Sequence, residues 1–425
     1  MSKNKQPLRW LRLDNAAKIY PAASRQNWSN VFRLSVSLTE PVDKAVLQQA
    51  LDATVGRFPS MAARLRRGVF WYYLQELEKA PQLQEEYSYP LAMMDKPEIR
   101  KCALRVIAYE NRIAVEFFHC LTDGTGGLVF LKSLTAEYLQ RKYGVDISNT
   151  HGVLDRQQRP AEEELEDSFL KYAGAVSASR REDDAWHPSG TPTDELRLTC
   201  LCLSVRDVLD KAHAYGVSLN TLLTAVMMQA LLRLQAQKVP DRRRRKAIKV
   251  LLPVNLRKLY PSKTLRNFAL YVTPQVDPRL GDYSFAELCK VVHHFMGAEA
   301  EPKRISRMIA ANVADESHFI VKIMPLFVKN FVMRMVFDAV GERKSCLTLS
   351  NLGAVQLPEE MGKYVTCMDF ILSPQAKAPH NCGVISWKDD LHINFIRKIE
   401  EPELELAFFR VLQEQGLEAT VRSNQ

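Results

Sequence analysis

Ile113-Ala114-Val115-Glu116-Phe117-Phe118-His119-Cys120-Leu121-Thr122-Asp123-Gly124-Thr125-Gly126-Gly127 is the stretch on which the reading turns. Residues 113–118 are apolar but for Glu116 and β-prone, and residues 103–109 before them, apolar but for Arg105 and Tyr109, form a second such run. The short turn Glu110-Asn111-Arg112 makes the two a hairpin. The second strand ends on His119. Asp123 follows four positions later, and Gly124, Gly126 and Gly127 read as a sharp turn with open space beside it. An amphipathic helix over 128–143 then runs to Gly144. A histidine at a strand end beside open space has the chemistry of a general base near neutral pH, and a carboxylate four residues on can orient it or brace the loop. A lone histidine is just as readily a satisfied core or surface group, so spacing leaves both readings open.

Working outward, residues 31–38 place Phe32, Leu34, Val36 and Leu38 on one face of a strand and Arg33, Ser35 and Ser37 on the other. Pro41-Val42-Asp43 opens a helix that Pro59 ends, and 69–74 reads as a further strand. Residues 145–194 change texture, with the acidic run 162–167, and form a long crossover. Beyond it come strands at 196–203, 249–254, 268–276, 346–349, 383–387 and 392–396. Helices follow Ser204 and Ser218 as N-caps, and others cover 285–296 and 403–415. The helix at 219–237 is apolar on most faces and should be deeply buried. The class is α/β (α+β), divided into an N-terminal lobe (1–150), a crossover linker (151–195) and a C-terminal lobe (196–425).

With 46% apolar and 25% charged residues, the 425-residue chain is not broadly disordered. A net charge of +9 permits attraction to a phosphorylated cofactor and does not call for nucleic acid. The densest basic run, Arg242 to Lys246, reads as a solvated loop. The eight cysteines form no CxxC pair, His380 and Cys382 are too close to chelate from one strand, and no metal site is expected. Reduced thiols and the lack of a signal core or spanning segment point to the cytoplasm. His293-His294 reads as ordinary helix surface or core. The Met- and Phe-rich stretch 319–340 has two readings, a buried helix or a mobile flap that lines an apolar entrance or makes a peripheral membrane contact.

His119-Cys120-Leu121-Thr122-Asp123-Gly124 resembles the HxxxDG signature of the chloramphenicol acetyltransferase-like superfamily. Pro253-Val254-Asn255-Leu256-Arg257 with Leu265-Arg266-Asn267-Phe268 resembles that superfamily's second-half arginine and GNF-like turn, and Ser350-Asn351-Leu352-Gly353 its late strand-end motif. The alcohol acetyltransferase and BAHD-like members are the nearest in pattern. Phe118 stands where condensation domains carry a first histidine, and Arg266 stands where glycine is common. The resemblance implies two similar lobes with mixed sheets and a tunnel between them. It implies an acyltransferase with acyl-CoA as co-substrate, no tightly bound cofactor, and a hydroxyl or amine acceptor; the stretch 319–340 makes an apolar acceptor the expectation. In that reading His119 is the base, Asp123 and Gly124 shape the site, Arg257 pairs with Asp123, and Ser350 or Asn351 holds the oxyanion. A carrier-protein thioester as donor, or a non-catalytic binding protein on the same fold, are the alternatives.

Overall fold

The computed structural model describes every residue except 1–7, 26–27, 29, 87–88, 174–183, 300, 318–322, 338–341, 376–377 and 425. Alternating side chains in Val31–Leu38 and Arg112–Phe118 pair the two strands antiparallel, with Val31 opposite Phe118. Leu104–Tyr109 and then Gln84–Glu85 continue this first sheet on one side. On the other side lies Val365–Leu372, antiparallel to Val31–Leu38. That strand comes from the far end of the sequence, so residues 196–425 do not form a lobe closed on itself. The second sheet runs in the order Ala269–Val272, Ile248–Asn255, Leu347–Val355, His380–Trp387, Asp390–Ile399, Pro192–Ser204 and Thr420–Ser423. Parallel and antiparallel pairs are mixed in it. This is the expected α/β class with mixed sheets.

Helix Gly124–Tyr143 buries Phe130, Leu131, Leu134 and Leu139 in the core of the first sheet. Helix Leu219–Lys238 is buried on most faces, as its composition requires, in a separate core over the second sheet. A third cluster joins Phe169 of the crossover to Leu256, Phe268 and Leu270.

Two local expectations are corrected. The strand read at 69–74 is a hairpin: Tyr72–Glu76 pairs with Ala63–Arg67 on one side and with Trp10–Arg12 on the other in a small sheet, and Gly68 N–H donates to the Trp71 carbonyl at the tip. Turn formation overrides the strand propensity of Val69, Phe70 and Trp71. In the stretch 319–340, the parts 319–322 and 338–340 lie outside the described residues. The rest contains helix Leu326–Val336, which is not a buried helix: Phe327 and Phe331 are each 65% exposed. Among the described residues no single helix is long and apolar enough to cross a membrane.

Candidate active site

Pairing of the central strands carries the chain to His119, whose N–H donates to the Asn30 carbonyl (2.9 Å). The glycines that follow do not form an open turn. Helix Gly124–Tyr143 begins at once, with Asp123 as N-cap accepting from Gly126 N–H (3.0 Å). Gly124, Gly126 and Gly127 have no left-handed φ. What they provide is close approach. A Cβ on Gly126 would lie 2.2 Å from the Leu265 carbonyl oxygen, so the loop before Phe268 fits only against glycine. The Thr122 hydroxyl donates to that same carbonyl (2.6 Å).

Through this contact the second half of the chain reaches His119. Asp123 Oδ2 accepts from Arg257 Nη1 (2.8 Å) and from Phe268 N–H (2.9 Å). Arg257 also donates to the carbonyls of Thr264 (2.9 Å) and Arg266, and to Asn255 Oδ1 (3.2 Å). Both charged side chains are largely shielded, and each is hydrogen-bonded, which offsets the cost of burying them. Arg266 occupies the usual glycine position without a left-handed φ. Its guanidinium is buried and donates to the carbonyls of Arg12 and Leu165.

Asn267 is the residue that defines the imidazole. Its Nδ2 donates to Asp14 Oδ2 (3.2 Å) and to the His119 carbonyl (3.1 Å), and its Oδ1 faces His119 Nδ1 (3.0 Å). A carboxylate and a carbonyl only accept, so the amide nitrogen must be on their side. Oδ1 is then the atom at Nδ1, and Nδ1 must carry the proton. This leaves the Nε2 lone pair without a hydrogen-bond partner among the described residues. Tyr20 stacks on the ring (centroids 4.5 Å apart) and Phe32 meets it edge-on (5.1 Å). Burial lowers the pKa of His119 below its ordinary value, against opposing contributions from its own carbonyl, Asp123, Asn267 and Asp14. The imidazole is therefore neutral at pH 7, as a base must be.

The remaining expected residues are placed as follows. Ser350 is buried and pairs with Gly383, and two residues on Leu352 abuts Gly124. Asn351 Oδ1 accepts from Gly353 N–H (2.8 Å) within its own turn. Cys120 is fully buried, and burial pushes its thiol well above the usual range. His293 and His294 are exposed on their helix. Asp14 and Tyr20 carry no motif. Asp14 caps Ala17 N–H (2.7 Å), so in sequence it reads as a helix cap and no more.

No family model and no curated relative matches the sequence. Solved structures do match its fold. The chain is similar to polyketide synthase associated protein 5 from Mycobacterium tuberculosis (14% identity, 97% of this chain and 99% of that one, TM-score 0.59). It is similar to trichothecene 15-O-acetyltransferase from Fusarium sporotrichioides (12% identity, 97% and 96%, TM-score 0.61). A third is the starter condensation domain of rhizomide synthetase, in complex with C8-CoA and Leu-SNAC (14% identity, 96% and 93%, TM-score 0.57). The chain thus has the two-lobed fold shared by this acetyltransferase and the condensation domain.

Proposed function

We propose that this protein is an acyltransferase that moves an acyl group from acyl-CoA to a hydroxyl or amine, with His119 as general base. The observation that carries this reading is the fixed tautomer of His119, with Nδ1–H on Asn267 and Nε2 without a hydrogen-bond partner among the described residues. In the reaction Nε2 takes the acceptor's proton as its oxygen or nitrogen attacks the thioester carbonyl. A C–O or C–N bond forms, the C–S bond breaks, and the imidazolium returns the proton to the leaving thiolate. Protonation at Nε2 gives an imidazolium whose Nδ1–H still rests on Asn267 Oδ1, so no ring movement is needed. Asp123 and Arg257 hold the helix start and the 264–268 loop together. Ser350, on the strand that reaches Gly124, is the candidate donor to the oxyanion. Cys120, with its high thiol pKa and no exposure, does not serve as an acyl carrier.

No tightly bound cofactor is required, and CoA thioesters are the expected donor. A fold neighbour captured with C8-CoA supports that choice. A carrier-protein thioester is the second reading, supported by the condensation domains among the fold neighbours. The intact His119 speaks against a non-catalytic binding role. The acceptor is proposed to be apolar, since Tyr20 and Phe32 pack on the imidazole and Leu352 lies against the helix start. The test is thiol release from a panel of acyl-CoAs, with and without alcohols and amines of increasing chain length. Rates should rise with acceptor length, by up to about 0.8 kcal/mol for each methylene fully buried. Absence of acceptor-dependent release from every CoA thioester, together with transfer from an acyl carrier protein, would establish the second reading instead.

A further inference from the structure

Helix Leu326–Val336 presents Phe327, Phe331 and Met335 at four-residue spacing on its outer side, all well exposed, with Val332 beside them. Next to it projects the hairpin tip Val69-Phe70-Trp71, also exposed. The two are joined: Leu326 N–H donates to the Val69 carbonyl (3.0 Å), and Lys329 Nζ donates to the Phe70 carbonyl (3.0 Å). The result is one continuous apolar surface drawn from both halves of the chain, which is costly to leave in water.

Its border is cationic. Lys18 lies 5.6 Å from the centre of the Trp71 ring, and Lys329, itself buried, sits 3.2 Å from the same centre. The helix contains Lys329 and Arg334 and no acidic residue. Just below the hairpin tip is a cavity of about 440 Å³, lined by Arg66, Arg67 and Arg100 with Trp10 and Tyr73. Between Arg66 and Tyr73 there is no Asp or Glu. An aromatic tip, an apolar helix side and a basic cavity behind them match the depth profile of a lipid surface: acyl chains, interface, anionic headgroups. The overall charge of +9 acts in the same direction.

We infer that this surface docks the protein on an anionic membrane, with the 69–71 tip and helix Leu326–Val336 entering the interface and Arg66 and Arg67 meeting lipid phosphates. The position has a consequence for the site. The helix packs on segment Ile19–Ala23, and Arg334 donates to the Ser24 carbonyl (2.9 Å). Tyr20 of that segment stacks on His119. A docked molecule therefore holds the cover of its base close to the lipid, where an apolar acceptor would be dissolved. The docking itself does not rest on the proposed activity.

The experiment is vesicle flotation of the full chain. Phosphatidylcholine vesicles are compared with vesicles in which about one third of the lipid is phosphatidylglycerol, a fraction at which basic residues are attracted to the surface. The wild type should float with the anionic vesicles, less so at high salt, and poorly with the neutral ones. The double variant F327E/F331E should lose at least about tenfold in apparent affinity through lost apolar insertion. R66E/R67E should lose the salt-sensitive part. All these side chains are partly or largely exposed, so the variants should keep the wild-type melting temperature. H119A should float like the wild type, which separates docking from catalysis. The inference is overturned if the wild type stays unbound with anionic vesicles, or if F327E/F331E floats undiminished. It is equally overturned if light scattering shows a dimer that F327E/F331E dissociates, since a second copy then covers the patch.

Discussion

Two carboxylates flank the proposed base, and the chain uses them differently. Asp123 sits at a helix start and takes three hydrogen bonds, including a direct one from Arg257 at 2.8 Å. Asp14 is fully buried, yet its nearest cation, Arg266 Nε, stays at 3.6 Å and outside hydrogen-bond geometry. Its short contacts go instead to Ala17 N–H and the Asn267 side chain. Asp123 is thus a clamp, which holds the 264–268 loop against Gly126. Asp14 is a reference point for an amide, and through that amide it sets which imidazole nitrogen carries the proton. A tight ion pair is suited to alignment. A loose one leaves its carboxylate free to orient something else.

The comparison is broken most directly at Asp123. Asp123→Ala leaves Arg257 largely buried without its counter-charge, and Phe268 N–H without an acceptor. Loss of one partner of such a pair costs about 3 kcal/mol or more. Urea or thermal unfolding should show that loss, and a variant as stable as the wild type would refute the clamp. His119→Ala should do the reverse. Turnover falls by at least about a hundredfold, the range expected of a general base, while the unfolding midpoint barely moves. A folded His119→Ala protein of near-normal activity removes the assignment.

The distinction is sharpened at Asp14. In Asp14→Asn the new side chain can donate, so the Asn267 amide is held with Oδ1 towards His119 by the His119 carbonyl alone and less firmly. The ring then populates the Nε2–H form, which cannot act as a base. The expected result is a kcat about tenfold lower, or roughly 1.4 kcal/mol, with KM little changed. Nitrogen-15 chemical shifts of the His119 ring should report the change of tautomer. Unchanged shifts together with a loss of stability would make Asp14 a structural residue only.

What could be read in the sequence follows the range of the interaction. The hairpin, the strand-end histidine and the caps are set by neighbours, and their order along the chain agrees with the sheets. Arg33 shows one limit. Period-two alternation puts it on a polar face, yet it is buried against Glu116, itself paired with Arg105, which also holds Glu98. A strand pattern shows which face is apolar and not what covers the other. Val365–Leu372 shows a second limit, since joining the first sheet depends on a partner more than three hundred residues away. Asn267 was in view as part of a motif, but its role depends on Asp14, 253 positions earlier, and no local signal links them. The glycines after His119 were legible as special and misread in kind, because close approach and a sharp turn both demand a missing side chain.

The smallest expected effect also ranks the two carboxylates. Burial pulls the pKa of His119 below 6.5, and Asp123 and Asp14 each pull it back up, Asp123 more strongly. In the proposed reaction the neutral ring is the base, so activity should persist to pH values below 6.5 and fall only as the imidazole protonates. Removing a nearby negative charge disfavours the imidazolium further. Asp14→Asn and Asp123→Asn should therefore both move the acid limb of kcat/KM to lower pH. Asp123→Asn should give the larger displacement. The check is the pH dependence of kcat/KM for the wild type and both variants, measured in buffers of constant ionic strength because charge–charge contributions are screened by salt. An acid limb that moves upward in either variant contradicts the electrostatic argument. A larger shift for Asp14→Asn than for Asp123→Asn would mean that the path through Asn267 carries more of the field to the imidazole than the clamp beside it.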